Sequence, residues 1–185
     1  MLLQKITENL SFRLFTVDDA EEVFTLINNS RTYLREYLGW VDLTTEVKDS
    51  ETWIKTTLQG MVETGGFPTT VAIIYGGKIA GTIGIQELNR ANRSASIGYW
   101  LGEGFQGKGI MTKACSSLMD YGFNELKLNR ISIKAAFSNE KSRAIPERLG
   151  FREEGHIRQA EWVYDHYVDH VVYGMLAEEW GSYQK

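Results

Sequence analysis

Cysteine and proline are almost missing from this chain: Cys115 is the sole cysteine, and Pro68 and Pro146 are the only prolines in 185 residues. A single thiol builds neither a disulfide framework nor a cysteine cage for a metal, which fits a reducing cytoplasm. With so few chain breaks, and no repeat or low-complexity linker, nothing marks a domain boundary, and residues 1–185 are expected to form one α/β domain. Long apolar runs are also lacking. None approaches membrane-spanning length, and the N-terminal Met1-Leu2-Leu3-Gln4-Lys5-Ile6 has no basic segment backed by an apolar one, so neither a membrane span nor an export signal is expected. Nor is there an excess of positive charge. Twenty Lys and Arg against twenty-four Asp and Glu leave a net charge of −4. That balance gives no general pull toward nucleic acid or an anionic membrane and suits a small or cationic partner better. The N-terminal half holds much of the acid, in Asp18, Asp19, Glu21 and Glu22 and again in Glu36, Asp42, Glu46, Asp49 and Glu51. Most of these read as solvated helix surface; a negative rim near an acceptor site would attract basic molecules.

What the chain does have is a glycine cluster, Gly102-Glu-Gly-Phe-Gln-Gly-Lys-Gly109, between an alternating apolar run and a helical one. Such a loop lets the unpaired N–H groups and positive dipole end of a helix approach a pyrophosphate. It fits three patterns. As a P-loop, Gly102-x-x-x-x-Gly107-Lys108 lacks the closing Ser or Thr that holds magnesium, since Gly109 stands there. As a dinucleotide fingerprint, Gly102-x-Gly104-x-x-Gly107 would follow a continuously apolar strand and precede an acidic strand end about twenty residues on. Instead Ala95, Ile97, Tyr99 and Leu101 alternate with Ser94, Ser96, Gly98 and Trp100, as in a strand buried on one face, and Glu125 falls in a helical stretch. The third pattern is Gln106-x-x-Gly109-x-Met111.

Periodicity and turn residues predict a strand over 10–16, helices beginning at Val17 and over 31–37, and an amphipathic helix over 46–63 stopped by Thr64-Gly65-Gly66. Strands follow over 69–75, 78–88 and 94–101, joined by turns at Gly76-Gly77 and at Asn89 through Asn92. The glycine loop then opens a helix through about Glu125, with Ile110, Ala114, Leu118 and Tyr121 on its apolar face and Met111, Cys115 and Met119 broadening it. A strand over 131–137, a short helix over 139–149 closed by Gly150, and strands from Phe151 to a run centred on Val171 and Tyr173 complete the order. This reads as α/β: a mixed, mostly antiparallel central sheet with helices on both faces.

That order, the Gln106-x-x-Gly109 loop and a second block, Asn139-Glu-Lys-Ser142-Arg-Ala-Ile-Pro146-Glu-Arg-Leu-Gly150-Phe151, together resemble the GNAT superfamily of acetyl-CoA-dependent N-acetyltransferases. Leu34-Arg-Glu-Tyr-Leu-Gly-Trp40 and Gln159-Ala-Glu161-Trp162 are similar to its Rim branch, which acetylates N-termini of ribosomal proteins. The resemblance covers nearly the whole chain and implies a GNAT acyltransferase fold with acetyl-CoA as acyl donor. It implies that the backbone of Gln106, Gly107, Lys108, Gly109, Ile110 and Met111 holds the CoA pyrophosphate, with Lys108 and Lys113 near its phosphates. Trp100 and Leu101 would pair with the pantetheine arm as a strand edge does, and Asn139 would bond the same arm. Met111 departs from the small residue usual there, adding bulk without removing a donor.

Attack of a neutral amine on a thioester needs a proton acceptor for the amine and a proton donor for the leaving thiolate. An α-amine, with a pKa of about 8, asks only for a modest base. Many relatives place a tyrosine acid four residues before the glycine of the second block, where this chain has Pro146. By resemblance Ser142 takes the acid role and Glu161 the base role, directly or through water. Other readings stay open: Ser142 as a solvated helix residue, Glu161 on a wet strand face, Asn139 as a helix cap, and Lys108 and Lys113 as a solvated face. Trp40 and Trp162 each read alone as core aromatics, and together as walls of a peptide groove. Asp165, His166, Asp169 and His170 look like metal ligands, since residues four apart on a strand share a face. With only the distant His156 to add, and a reaction that needs no metal, no metal site is expected. The expected acceptor is the N-terminus of a basic, ribosomal protein. A small amine such as a polyamine or aminoglycoside, or a non-catalytic acetyl-CoA-binding module, stands as the alternative. A homodimer is implied by resemblance alone.

Overall fold

The computed structural model describes residues 2–63 and 69–183, with side chains given for residues 3–60 and 69–183. Eight strands run as β1 Leu2–Lys5, β2 Leu10–Arg13, β3 Thr70–Tyr75, β4 Lys78–Asn89, β5 Ser94–Leu101, β6 Arg130–Ala136, β7 Arg152–Val163 and β8 His166–Leu176. Helices are α1 Ala20–Asn29, α2 Arg31–Arg35, α3 Val47–Glu63, α4 Ile110–Asn124, α5 Glu140–Arg148 and α6 Ala177–Tyr183. The strands form one mixed sheet in the order β1-β2-β3-β4-β5-β6-β8-β7. β5 and β6 run parallel, and the pairs β1–β2, β2–β3, β3–β4, β6–β8 and β7–β8 run antiparallel. The α/β reading of the sequence, with a mostly antiparallel sheet, therefore holds.

Two compact units divide the chain, Met1–Gly84 with Tyr99–Ile110 and Ile85–Gly98 with Met111–Lys185. The first centres on a core of Phe15, Val23, Ile27, Leu34, Val41, Ile54, Ala72 and Ile79. The apolar spacing of α1 supplies Ala20, Val23 and Ile27 from one face, while its first turn carries Glu21 and Glu22 at the positive end of the dipole. The strand expected over 10–16 stops at Arg13 because the chain turns there onto Asp19. The Asp19 carboxylate accepts from Arg13 Nη1 and Nη2 at 2.6 and 2.7 Å and from the Thr16 N–H at 2.7 Å, a capping arrangement that starts the helical turn before α1. Burial by itself would raise the Asp19 pKa, but the Arg13 and Thr16 hydrogen bonds bring it below its usual value.

In the second unit, Ile131 and Ile133 of β6, Val171, Tyr173 and Met175 of β8, and Ala114, Cys115, Leu118 and Met119 of α4 are buried. Burial pushes the Cys115 thiol up, so it stays protonated and inert. The alternation seen in 94–101 does not translate into one buried face: Ala95, Ser96 and Ile97 are all buried. That segment forms the parallel ladder Ser94–Ile97 against Arg130–Ile133, and parallel strands are covered on both faces. Ser96 is small enough for the second face, and its hydroxyl serves the Glu87 carboxylate. β1 and α6 have no counterpart in the periodicity reading. The helix stop at Thr64-Gly65-Gly66 lies outside the described residues.

Candidate active site

The glycine cluster forms a short turn, a single 3₁₀ turn at Glu103–Phe105 and then α4 from Ile110. Gly107 and Gly109 have φ of 72° and 69°, the left-handed region that glycine enters without strain, so successive N–H groups can turn to one side before the helix begins. At Gly104, Gly107 and Gly109 a Cβ would meet nothing within 4 Å, so the loop backbone is open to approach at these positions. Ile110 and Met111 are buried, 2% and 6% exposed, at the start of α4. A negatively charged diphosphate fits this donor set: glycine amides, a helix start and no carboxylate from Gly104 to Lys113.

Lys108 does not simply project into solvent. Its Nζ donates to the Gly104 carbonyl at 2.9 Å and lies 5.5 Å from the Phe105 ring centre and 5.8 Å from that of Tyr75. Lys113 is exposed. Trp100 is half-buried, its ring 5.8 Å from that of Trp40. Trp100 and Leu101 are the last two residues of β5.

In the other unit, Asn139 caps α5: its side-chain oxygen accepts from the Ser142 N–H at 3.1 Å. Cap and serine are thus joined, and Ser142 is half-buried one turn into the helix. Pro146, where a tyrosine acid was absent, is buried in the same helix. Glu161 lies near the end of β7 with its side chain 46% exposed, and its Oε2 is 3.1 Å from His170 Nε2. The other histidines also meet carboxylates: His156 Nε2 is 3.0 Å from Asp169, and His166 Nδ1 is 2.8 Å from Asp165. Each pair is separate, so the segment that resembled a metal site is divided into acid–imidazole pairs. Trp162 is no core residue, being 54% exposed and edge-on to Tyr167 at 4.8 Å. It lies near the tip of the β7–β8 hairpin, away from the packed middle of the sheet.

The acidic run is largely engaged. Asp19 holds Arg13, Glu22 accepts from the Ile79 N–H, Asp42 pairs with Arg35, Asp49 caps the Thr45–Glu46 turn, and Glu51 meets both Lys48 and Lys55. Among the described residues no helix is long and apolar enough to cross a membrane.

Residues 9–152 match the acetyltransferase (GNAT) domain, so the chain belongs to the GNAT family and is an N-acetyltransferase. It is 38% identical over 181 residues to YdaF of Bacillus subtilis (strain 168), a protein provisionally named as a ribosomal N-acetyltransferase; the match spans 97% of this chain and 98% of YdaF. Over 176 residues it is 28% identical to the ribosomal-protein-serine acetyltransferase of Escherichia coli (strain K12), covering 94% and 96% of the two chains. The structure of the microcin C7 self-immunity acetyltransferase MccE in complex with acetyl-CoA and AMP superposes with a TM-score of 0.86 at 29% identity, covering 93% of this chain and 94% of that one.

Proposed function

We propose that this enzyme transfers the acetyl group of acetyl-CoA to the N-terminal amine of a ribosomal protein by direct attack within a ternary complex, in the cytoplasm and as a homodimer. The observation that carries this reading is whole-length similarity to two proteins named for ribosomal acetylation. The open glycine loop at the start of α4 supports acetyl-CoA as donor. In this reading the amides of Gln106, Gly107, Lys108, Gly109, Ile110 and Met111 hold the pyrophosphate. The edge of β5 at Trp100 and Leu101 pairs with the pantetheine amides. Asn139 bonds the same arm through its amide nitrogen while its oxygen remains the cap.

The amine lone pair attacks the thioester carbonyl carbon, the C–N bond forms and the C–S bond breaks. Glu161 accepts the amine proton, directly or through water, and Ser142 gives a proton to the departing thiolate. Because an α-amine has a pKa of about 8, part of it is already neutral at pH 7, and an exposed carboxylate is base enough. Incubation of the purified enzyme with acetyl-CoA and a ribosomal extract, followed by intact-mass measurement of the ribosomal proteins, tests the proposal. Gain of a single acetyl group mapped to one N-terminus is the expected result. Acetyl-CoA binding without any shift among the ribosomal proteins would refute it and leave a small-amine acetyltransferase or a silent binding module, which turnover with spermidine and aminoglycosides then separates.

A further inference from the structure

β7 and β8 do not keep a simple register. Ile157 lies opposite His170, so an unbroken antiparallel ladder would put Glu161 opposite His166, four residues and about 13 Å along the strand from His170. Instead Glu161 lies opposite Val168. Residues 158–160 of β7 stand across from Asp169 alone, an insertion of the kind that re-aims side chains in a sheet. Asp169 fastens it. Gln159, with φ of 50°, donates its N–H to Asp169 Oδ1 at 2.7 Å, and His156 Nε2 is 3.0 Å from Oδ2. The Gln159 amide is also the main cause of an Asp169 pKa below the usual carboxylate range, so this clasp is an ionised one.

Side chains alternate along a strand, so His156 and Asp169 take one face of the hairpin and His170 and Glu161 the other. The insertion draws Glu161 back to within two residues of His170 on that face, where Nε2 and Oε2 are 3.1 Å apart. An ionised carboxylate only accepts, so the nitrogen in contact carries the proton. The His170 side chain is 18% exposed against 46% for Glu161, which makes it the fixed member of the pair. On the neighbouring strand Ala136 stands opposite His170, and the next side chain on that face, Lys134, is engaged 3.1 Å from Glu87.

We propose that His170 is a positioning residue for acetyl transfer: its Nε2–H holds Oε2 of Glu161, on a strand shifted by the Asp169-pinned insertion, so that Oε1 is the oxygen presented to the amine proton. The inference rests on the assignment of Glu161 as base. A glutamate on an open strand otherwise samples several rotamers, and holding one of them is how an outer hydrogen bond raises turnover without touching the substrate.

The test is acetylation of a ribosomal-protein extract by E161Q, H170Q, H170N and the double variant H170N/E161Q. Gln places an amide N–H near the position of Nε2, whereas Asn is one carbon too short; both are polar and no larger than imidazole. H170Q is expected within about threefold of the native turnover number and H170N about tenfold lower, with KM for acetyl-CoA unchanged in both. H170N/E161Q should be no slower than E161Q alone, because a residue acting only through Glu161 has nothing to add once Glu161 is gone. Native turnover in H170N, or a double variant slower by the product of the single effects, overturns the assignment. If E161Q is as fast as the native enzyme, the base assignment falls and takes this inference with it; if E161Q is slow and H170N is not, His170 alone falls.

Discussion

Two glycines that look alike in the sequence should respond to alanine in opposite ways. A Cβ on Gly81 of β4 would overlap the Trp100 carbonyl oxygen and come within 2.8 Å of Leu101 Cα and 3.1 Å of the Trp100 carbonyl carbon, all of it backbone of β5. Ordinary contact needs about 3.5 Å, so the strands must part by roughly 1 Å at this point. The adjacent Gly102 N–H to Ala80 carbonyl bond, 2.8 Å long, would then be lost. Overpacking costs about 1–3 kcal/mol and the lost bond about 1, against about 0.4–1 kcal/mol gained by restricting the unfolded chain. The net is a loss of about 2 kcal/mol, or about 4–8 °C in Tm for a chain of this size. Because the displaced residues are the edge proposed to pair with pantetheine, KM for acetyl-CoA should rise as well. A Cβ on Gly174 of β8 would also overlap its neighbours, but these are the Glu154 carboxylate and the Arg130 guanidinium. They are the ends of an ion pair on side chains each 33% exposed, free to swing outward. The pair is bidentate, Arg130 Nη1 and Nη2 meeting the two Glu154 oxygens, and is worth about 1 kcal/mol, which the restriction of the unfolded chain largely offsets. Gly174→Ala should leave both Tm and KM near native. Thermal unfolding of the two variants, with acetyl-CoA titrations, decides the matter. Equal Tm values for Gly81→Ala and the native protein would refute the steric reasoning, and a lower Tm with unchanged KM would refute the role given to Trp100 and Leu101.

Ser142→Ala and Glu161→Gln should each lower turnover by about tenfold or more while Tm stays within a few degrees of native, and native kinetics in both would remove these residues from the mechanism. Asn139→Ala loses the cap and about 1 kcal/mol, and it should raise KM for acetyl-CoA; Asn139→Asp keeps the cap, so an unchanged KM in that variant would reduce Asn139 to a cap. Lys108→Met removes an ammonium that holds the Gly104 carbonyl and has two further donors for a phosphate; a weaker dependence of KM for acetyl-CoA on salt is expected, and an unaltered one would mean that Lys108 serves only the loop. The Asp19 pKa is lowered on folding, so the stability it confers is complete above the unfolded value of about 3.9 and fades as pH falls through the folded value. The Tm gap between the native protein and Asp19→Asn should therefore be constant near neutrality and close below about pH 4; a gap unchanged by acid would show that the Arg13 pair contributes no charge-dependent stability.

Local chemistry explains what was legible beforehand. The glycine loop, α4 and the Asn139 cap are settled by residues within a few positions of one another, by left-handed glycines, helical spacing and a capping side chain; the loop and α4 read directly from the sequence, and the cap was one of two readings it left open for Asn139. Strand ends and register depend on distant partners. The strand at 10–16 lost its last residues because Arg13 turns to Asp19, an ion pair that hydrophobic alternation does not register. Alternation in 94–101 misled for a related reason: Ser96 is polar yet buried, since its strand runs parallel to β6 and is covered on both sides. The Glu161–His170 pair was out of reach altogether, because a regular hairpin would have kept the two apart and no residue in 158–160 announces an insertion. Gln159 in the left-handed region is the nearest thing to a signal, and glutamine is not a residue whose presence suggests it.

β7 is one of the two outermost strands of the sheet, and eleven of its twelve residues are exposed. A straight outer edge of that length would offer a regular row of backbone donors and acceptors to any other extended chain, the condition under which sheets grow from one molecule to the next. The register breaks twice along β7, between Glu153 and Gly155 and again between Ile157 and Glu161. Each break puts the outward N–H and C=O groups out of step with those of an incoming strand. The register shift that sets Glu161 opposite Val168 thus also interrupts the regular edge on which an incoming strand would pair.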